Sequence, residues 1–203
     1  MTTISFLLAG VGGQGTILTS DVLAAVGLRQ GYDVKQSEVH GMAQRGGSVT
    51  SVVRWAEQVH SPLIGPGEAD YLVALEKLEA LRYIEMVRPG GVVLVNDYAI
   101  PPLSVSSGND EYPSEERFHT ILGAVTAKHY LLPANTWAEE LGNARANNVV
   151  LLGALSFWLS DVPLPLWLEA IRERVPPKLA NLNEQAFLVG REAMEKRLPC
   201  PLQ

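Results

Sequence analysis

Three features of this 203-residue sequence predict an α/β fold: a Rossmann-like, doubly wound, mostly parallel sheet with a helical C-terminal part. Short apolar runs alternate with stretches of helical periodicity through the first half of the chain. The first apolar run passes straight into a glycine-rich turn and then a helix. Beyond residue 134 the apolar residues recur at helical spacing.

Residues 4–9 (ISFLLA) are the kind of continuous apolar run that forms a strand buried on both faces. Residues 10–15 (GVGGQG) form a turn, and 16–30 carry Ile17, Leu18, Val22, Leu23, Val26 and Leu28 at mostly helical spacing. Gly31 sits where a helix C-terminal glycine belongs. A second strand is predicted over 32–39, a β-branched third over 48–55 and a fourth over 71–75. A helix follows over 77–87, broken by Pro89-Gly90-Gly91, and 91–96 form a fifth strand. Strands separated by helices imply parallel pairing with right-handed crossovers. Residues 101–116, rich in Pro, Ser and acids, read as a loop or an excursion off the sheet edge. In the tail, 147–159, 164–175 and 179–197 are expected helices. One domain over 1–203 is expected, with its core in 1–98, an excursion and last strand in 99–133, and a helical tail in 134–203.

Composition narrows the function. A net charge of −6 and a pI near 5.2 disfavour a nucleic-acid binder. No apolar run approaches the roughly 18 residues that suggest a membrane span, and no basic segment precedes the first apolar run as in a signal peptide. No membrane attachment and a cytoplasmic location are therefore expected. The single cysteine, Cys200, cannot close an internal disulfide or hold an iron–sulfur cluster. His60, His119 and His129 show no i, i+4 spacing, so no metal site is expected. Trp137, Phe157, Trp158 and Trp167 suit either a core or an interface.

Two loops carry the chemistry. In the first, Gly10 permits a tight turn, Gly12 lets an anion approach the backbone, and Gly15 lets helix and strand pack closely. Gly13 widens the turn, and the amides opening the next helix favour negative charge. A dinucleotide site would also need an acid at the end of the second strand. Asp33 has about the right count but stands at that strand's start; Glu38 stands near its end but late in count. The alternative is a turn that only joins strand to helix. The second loop, within 37–48, gathers Ser37, Glu38, His40, Gly41, Gln44, Arg45, Gly46 and Gly47. In a parallel sheet, part of it shares the carboxyl edge with the first turn, where ligands bind in open α/β sheets.

Together, GVGGQG and SEVHGMAQRGGSVTSVVR resemble the gamma-type domain of 2-oxoacid:ferredoxin oxidoreductases, most narrowly the small beta-type subunits of the indolepyruvate class. The resemblance continues through ADYLVAL (69–75), GGVVLVN (90–96) and NNVVLLGA (147–154), and near Asn183, so it covers most of the chain. It implies a heteromeric enzyme in which thiamine diphosphate, magnesium and 4Fe–4S clusters sit on a large alpha-type partner and ferredoxin accepts the electrons. This chain would bind no cofactor tightly and would be inactive alone. The sequence also lacks a Gly-Asp-Gly run with a downstream asparagine, the usual magnesium–diphosphate signature of thiamine enzymes. The resemblance suggests Gly10, Gly12, Gly13, Gln14, Gly15, Ser37, Gly41, Gln44, Gly46 and Gly47 as site residues, with His40 and Arg45 as candidate catalytic groups. Arg45 is suited to an anionic group, and His40 to proton transfer or simple hydrogen bonding. Asn147, beside Asn148, either caps an apolar helix or reaches the site. Two other readings stand beside this one: a self-sufficient NAD- or flavin-binding reductase, and a purely structural or regulatory subunit.

Overall fold

The computed structural model describes residues 3–41 and 47–198. Its elements run β1 (Ile4–Val11), α1 (Thr16–Arg29), β2 (Asp33–His40), β3 (Ser48–Ala56), β4 (Ala69–Ala74), α2 (Lys77–Tyr83), β5 (Val87–Asn96), α3 (Leu103–Ser106), α4 (Glu115–Val125), β6 (His129–Leu132), α5 (Ala134–Glu140), α6 (Asn147–Ser156), α7 (Leu164–Arg174) and α8 (Ala180–Arg197). The strands form one sheet in the order β2-β3-β1-β4-β5-β6. β1 pairs parallel to β4, β4 to β5 and β5 to β6.

The mostly parallel, doubly wound class holds, with one strand reversed. Only seven residues separate β2 from β3, too few for a crossover helix, and the two strands pair antiparallel, as β3 does against β1. The parallel pairing expected throughout fails there, because a direct connection cannot supply the crossover that parallel neighbours need.

Alternation along the central strands builds two cores, one on each face of the sheet. Phe6, Leu8, Val73, Leu75, Val92 and Leu94 face a large cluster that includes Trp55, Trp167 and Phe187, beneath α1 and α5–α8. Leu7, Ala9, Leu72, Ala74, Val93 and Val95 face a smaller cluster with Phe118 and Leu122, beneath α2 and α4. This two-sided burial is why residues 6–9 of β1 and 92–95 of β5 read as unbroken apolar runs. Trp167 and Phe157 are buried, whereas Trp137 and Trp158 are partly buried against the larger core.

α6 is buried along its whole length and crosses α8 at glycines. A Cβ on Gly153 would lie 1.9 Å from the Phe187 carbonyl oxygen, and one on Gly190 would lie 1.8 Å from that of Val150. Only hydrogen fits between these backbones. The excursion over 101–116 is largely irregular, with α3 inside it, but α4 begins at Glu115 where no helix was predicted. Ser114 caps α4 by accepting from the Arg117 N–H, and Glu115 and Glu116 occupy its first turn.

Candidate functional site at the carboxyl edge of the sheet

The glycine turn leaves the carboxyl end of β1 and enters α1 through Gly15, which holds φ +88° and has no side chain to cap the helix. A Cβ there would meet Asn148 Nδ2 at 2.3 Å, so both the backbone angle and the neighbour require glycine. Gln14 is spent on the turn itself. Its Oε1 accepts from the Val11 N–H at 2.7 Å, and its Nε2 donates to the Leu75 carbonyl at 3.0 Å. Gly12 and Gly13 are exposed, and a Cβ on Gly13 would meet nothing. The turn thus presents backbone and a helix N-terminus outward while its side chains hold it shut.

The second loop does reach this edge, by a different route from the one expected. β2 is antiparallel to β3 and β3 to β1, so β2 runs with β1, and the end of β2 and the start of β3 lie at the carboxyl edge beside Val11. The Gly12 N–H donates to the Gly47 carbonyl at 2.9 Å, joining the two loops. The Gly41 N–H donates to the Ser48 carbonyl at 2.8 Å and closes the hairpin below the tip. Ser37 lies four residues before Gly41, within β2, where its carbonyl accepts from Ser51 Oγ. Gln44, Arg45 and Gly46 lie outside the described residues, and of His40 only the backbone is described, paired with Val49.

A carboxamide network that sequence reading missed floors the edge. Asn96, fully buried at the end of β5, donates to the Leu75 carbonyl and to Asn135 Oδ1, and its own Oδ1 accepts from the Asn135 N–H. Asn147 donates to the same Asn135 oxygen at 2.7 Å. Asn148 donates to the Gly15 carbonyl at 3.1 Å and caps the Val149 N–H with its Oδ1. Asn147 therefore belongs to the network and Asn148 ties α6 to the glycine turn. Asn147 Oδ1 and Thr16 Oγ1 are buried without a hydrogen-bond partner. Asn96 and Asn135 each follow a strand, a position that a sequence reading could have flagged.

Beside the glycine turn lies a cavity of about 270 Å³, lined by Val11, Glu76, Glu79, Arg82, Ile100 and Leu103. Glu76 is almost fully buried and accepts from the Ile100 N–H, the Glu79 N–H and the Tyr112 hydroxyl. Burial beside Glu76 drives the Tyr112 hydroxyl far above the ordinary phenol range. Glu79 accepts from Ser48 Oγ at the root of the hairpin and pairs with Arg82. Burial pushes its carboxyl above the usual range, against the opposing pull of Ser48 and Arg82.

The dinucleotide geometry is not formed. β1 is flanked by β3 and β4, so neither acid of β2 lies on a strand adjacent to the glycine turn. The Asp33 carboxylate is occupied at the other edge by the Val59 N–H and Lys35, and that backbone hydrogen bond holds it below the usual range. Among the described residues, no group of three or more His, Cys, Asp or Glu is placed to hold a metal ion, and no helix is long and apolar enough to cross a membrane.

Comparisons with known proteins agree with this architecture. Residues 5–193 match the model of the pyruvate ferredoxin/flavodoxin oxidoreductase family. The indolepyruvate oxidoreductase subunit IorB of Thermococcus kodakarensis is 39% identical over 203 residues, covering 98% of this chain and 99% of that one. In fold, the chain resembles the gamma subunit of a keto/oxoacid ferredoxin oxidoreductase from Geobacter sulfurreducens, with TM-score 0.71, 24% identity, and coverage of 95% of this chain and 99% of that one. It also resembles part of the 2-oxoglutarate:ferredoxin oxidoreductase from Magnetococcus marinus, with TM-score 0.72, 23% identity, and coverage of all of this chain and 33% of that one. With the family's model matched over almost its whole length, the chain belongs to the pyruvate ferredoxin/flavodoxin oxidoreductase family.

Proposed function

We propose that this chain is the small subunit of a 2-oxoacid:ferredoxin oxidoreductase acting on indolepyruvate or another aryl pyruvate. The observation that carries the reading is the end-to-end relation to the Thermococcus subunit, 39% identical with no large part of either chain left over. The donor set of the chain does not fit the cofactors of such an enzyme, since its sequence holds one cysteine and no Gly-Asp-Gly run. We therefore assign thiamine diphosphate, magnesium and the 4Fe–4S clusters to a large alpha-type partner, which passes electrons to ferredoxin. The Magnetococcus relation supports such a partner, because there the same fold occupies a third of a longer chain.

This subunit supplies its carboxyl edge. The glycine turn offers amides and a helix dipole, and Arg45, from the adjoining loop, adds a guanidinium suited to a carboxylate or phosphate. Exposed apolar side chains gather at the same edge: Ile17 opens α1, Val39 ends β2, Tyr98 follows β5, and Leu103 borders the cavity. We place the partner's surface there.

Gentle anaerobic purification of the tagged chain from its host, followed by native mass analysis and dye reduction with candidate 2-oxoacids, tests the reading. A brown complex with a larger chain, active on an aryl pyruvate, is expected. A colourless lone chain that binds NAD or flavin tightly would overturn it. In the assembled enzyme, Arg45→Ala should lower kcat/KM; an unchanged value would remove Arg45 from its role.

A further inference from the structure

The fold brings together two histidines that sequence spacing keeps apart. His119 lies on α4 and His129 opens β6, and His119 Nδ1 stands 3.3 Å from His129 Nε2, where the apo rings share a hydrogen bond. The rings are tilted by 45°, with centroids 5.5 Å apart, so they meet through their nitrogens rather than stacking face to face.

The tautomer of His129 is set by its other side. His129 Nδ1 lies 2.9 Å from the Thr126 carbonyl oxygen. A carbonyl only accepts, so Nδ1 carries the proton and the neutral ring turns the lone pair of Nε2 toward His119. An imidazole held by a backbone carbonyl on its far nitrogen is the usual arrangement of a metal-binding histidine. Two nitrogens each about 2.0–2.1 Å from a tetrahedral ion stand roughly 3.3 Å apart, the separation found here.

From this geometry we infer that His119 Nδ1 and His129 Nε2 form a two-imidazole site for a borderline divalent cation such as Zn²⁺, Ni²⁺ or Cu²⁺. Water completes the coordination, since no third ligand among the described residues joins the pair. Imidazole nitrogen selects these ions over Mg²⁺ and Ca²⁺, which take oxygen. The pair joins α4 to the outermost strand of the sheet, and β6 enters the sheet opposite Val93, away from the carboxyl edge. The bound ion bridges α4 to β6.

The test uses the full chain carrying Cys200→Ser, which removes the thiol as a competing ligand. Zn²⁺, Ni²⁺, Cu²⁺ and Mg²⁺ are titrated calorimetrically, and the electron paramagnetic resonance of the Cu²⁺ form is recorded. One equivalent of Zn²⁺, Ni²⁺ or Cu²⁺ is expected, with Cu²⁺ tightest and Mg²⁺ unbound. His119→Ala and His129→Gln should each weaken binding at least about tenfold, because losing even an outer partner of a metal-bound histidine costs that much. Copper hyperfine structure should report two nitrogens in the parent and fewer in each variant. Zn²⁺ should raise the Tm of the parent but not of His119→Ala, whose exposed side chain is not needed for folding. Binding unchanged in either variant, or lost only with His60→Ala, would overturn the assignment.

Discussion

Asn148 reaches from the first turn of α6 to the carbonyl of Gly15, 133 residues earlier, and so fastens the helical layer to the glycine turn. The same side chain fills the space where a Gly15 side chain would stand. Asn148→Ala removes this bond and the cap on Val149, while the Gly15 carbonyl keeps the Thr19 N–H and Oγ–H as donors. A stability loss of about 1–2 kcal/mol is expected from denaturant unfolding.

Gly13 separates architecture from function. Its φ of +98° makes alanine costly by roughly 1–2 kcal/mol, yet its added methyl would meet nothing in this chain. Gly13→Ala should therefore fold with a modest loss of Tm. If the carboxyl edge is covered in the assembled enzyme, it should cut assembly or kcat/KM more than that loss explains. Normal assembly and activity would mean that nothing approaches the turn.

Two helical glycines should respond in opposite directions. Gly190→Ala forces a methyl into the Val150 carbonyl, and overpacking should outweigh helix propensity for a net loss of at least about 2 kcal/mol. In Gly123→Ala the new methyl meets only His129 Cε1, at an ordinary 3.8 Å, so a gain of up to about 1 kcal/mol is expected. Thermal unfolding of both variants checks the contrast.

Glu79 should make stability fall as pH rises. Burial raises its folded-state pKa above the ordinary value of 4.5, so the folded chain binds this proton more tightly than the unfolded chain. The contribution is complete below the unfolded-state value and is lost as pH rises through the folded-state value. The stability of Glu79→Gln relative to wild type should therefore climb from the acid side of pH 4.5 to neutrality. A pH-independent difference would show that the carboxyl is not carrying this penalty.

Much of this architecture is legible in the sequence because local physics encodes it. Residues 6–9 of β1 and 92–95 of β5 are unbroken apolar runs because both faces are buried there, and the glycine turn is spelled by a backbone angle that only glycine tolerates readily. The direction of β3 is carried by the short link from β2, which has too few residues for a crossover, and not by the residues of Ser48–Ala56 themselves. α4 was readable from Ser114 and the two glutamates after it, but the prolines and serines just before it masked the signal. The network through Asn96, Asn135 and Asn147 joins residues up to 51 positions apart, and each asparagine alone suits a cap or a turn equally well. The same holds for His119 and His129, whose meeting depends on how α4 lies over β6.

The reversed strand makes the 41–47 segment an interchangeable part. β2 and β3 are zipped by eight consecutive residue pairs, and β3 by eight more to β1, so the strands keep their register whatever sequence links them. A crossover helix at this place would have tied the segment's length to the packing of a whole layer. A hairpin does not, so residues can be exchanged, added or removed at the carboxyl edge without disturbing either core. Related subunits can thus diverge in length and chemistry at this position while inheriting the same scaffold.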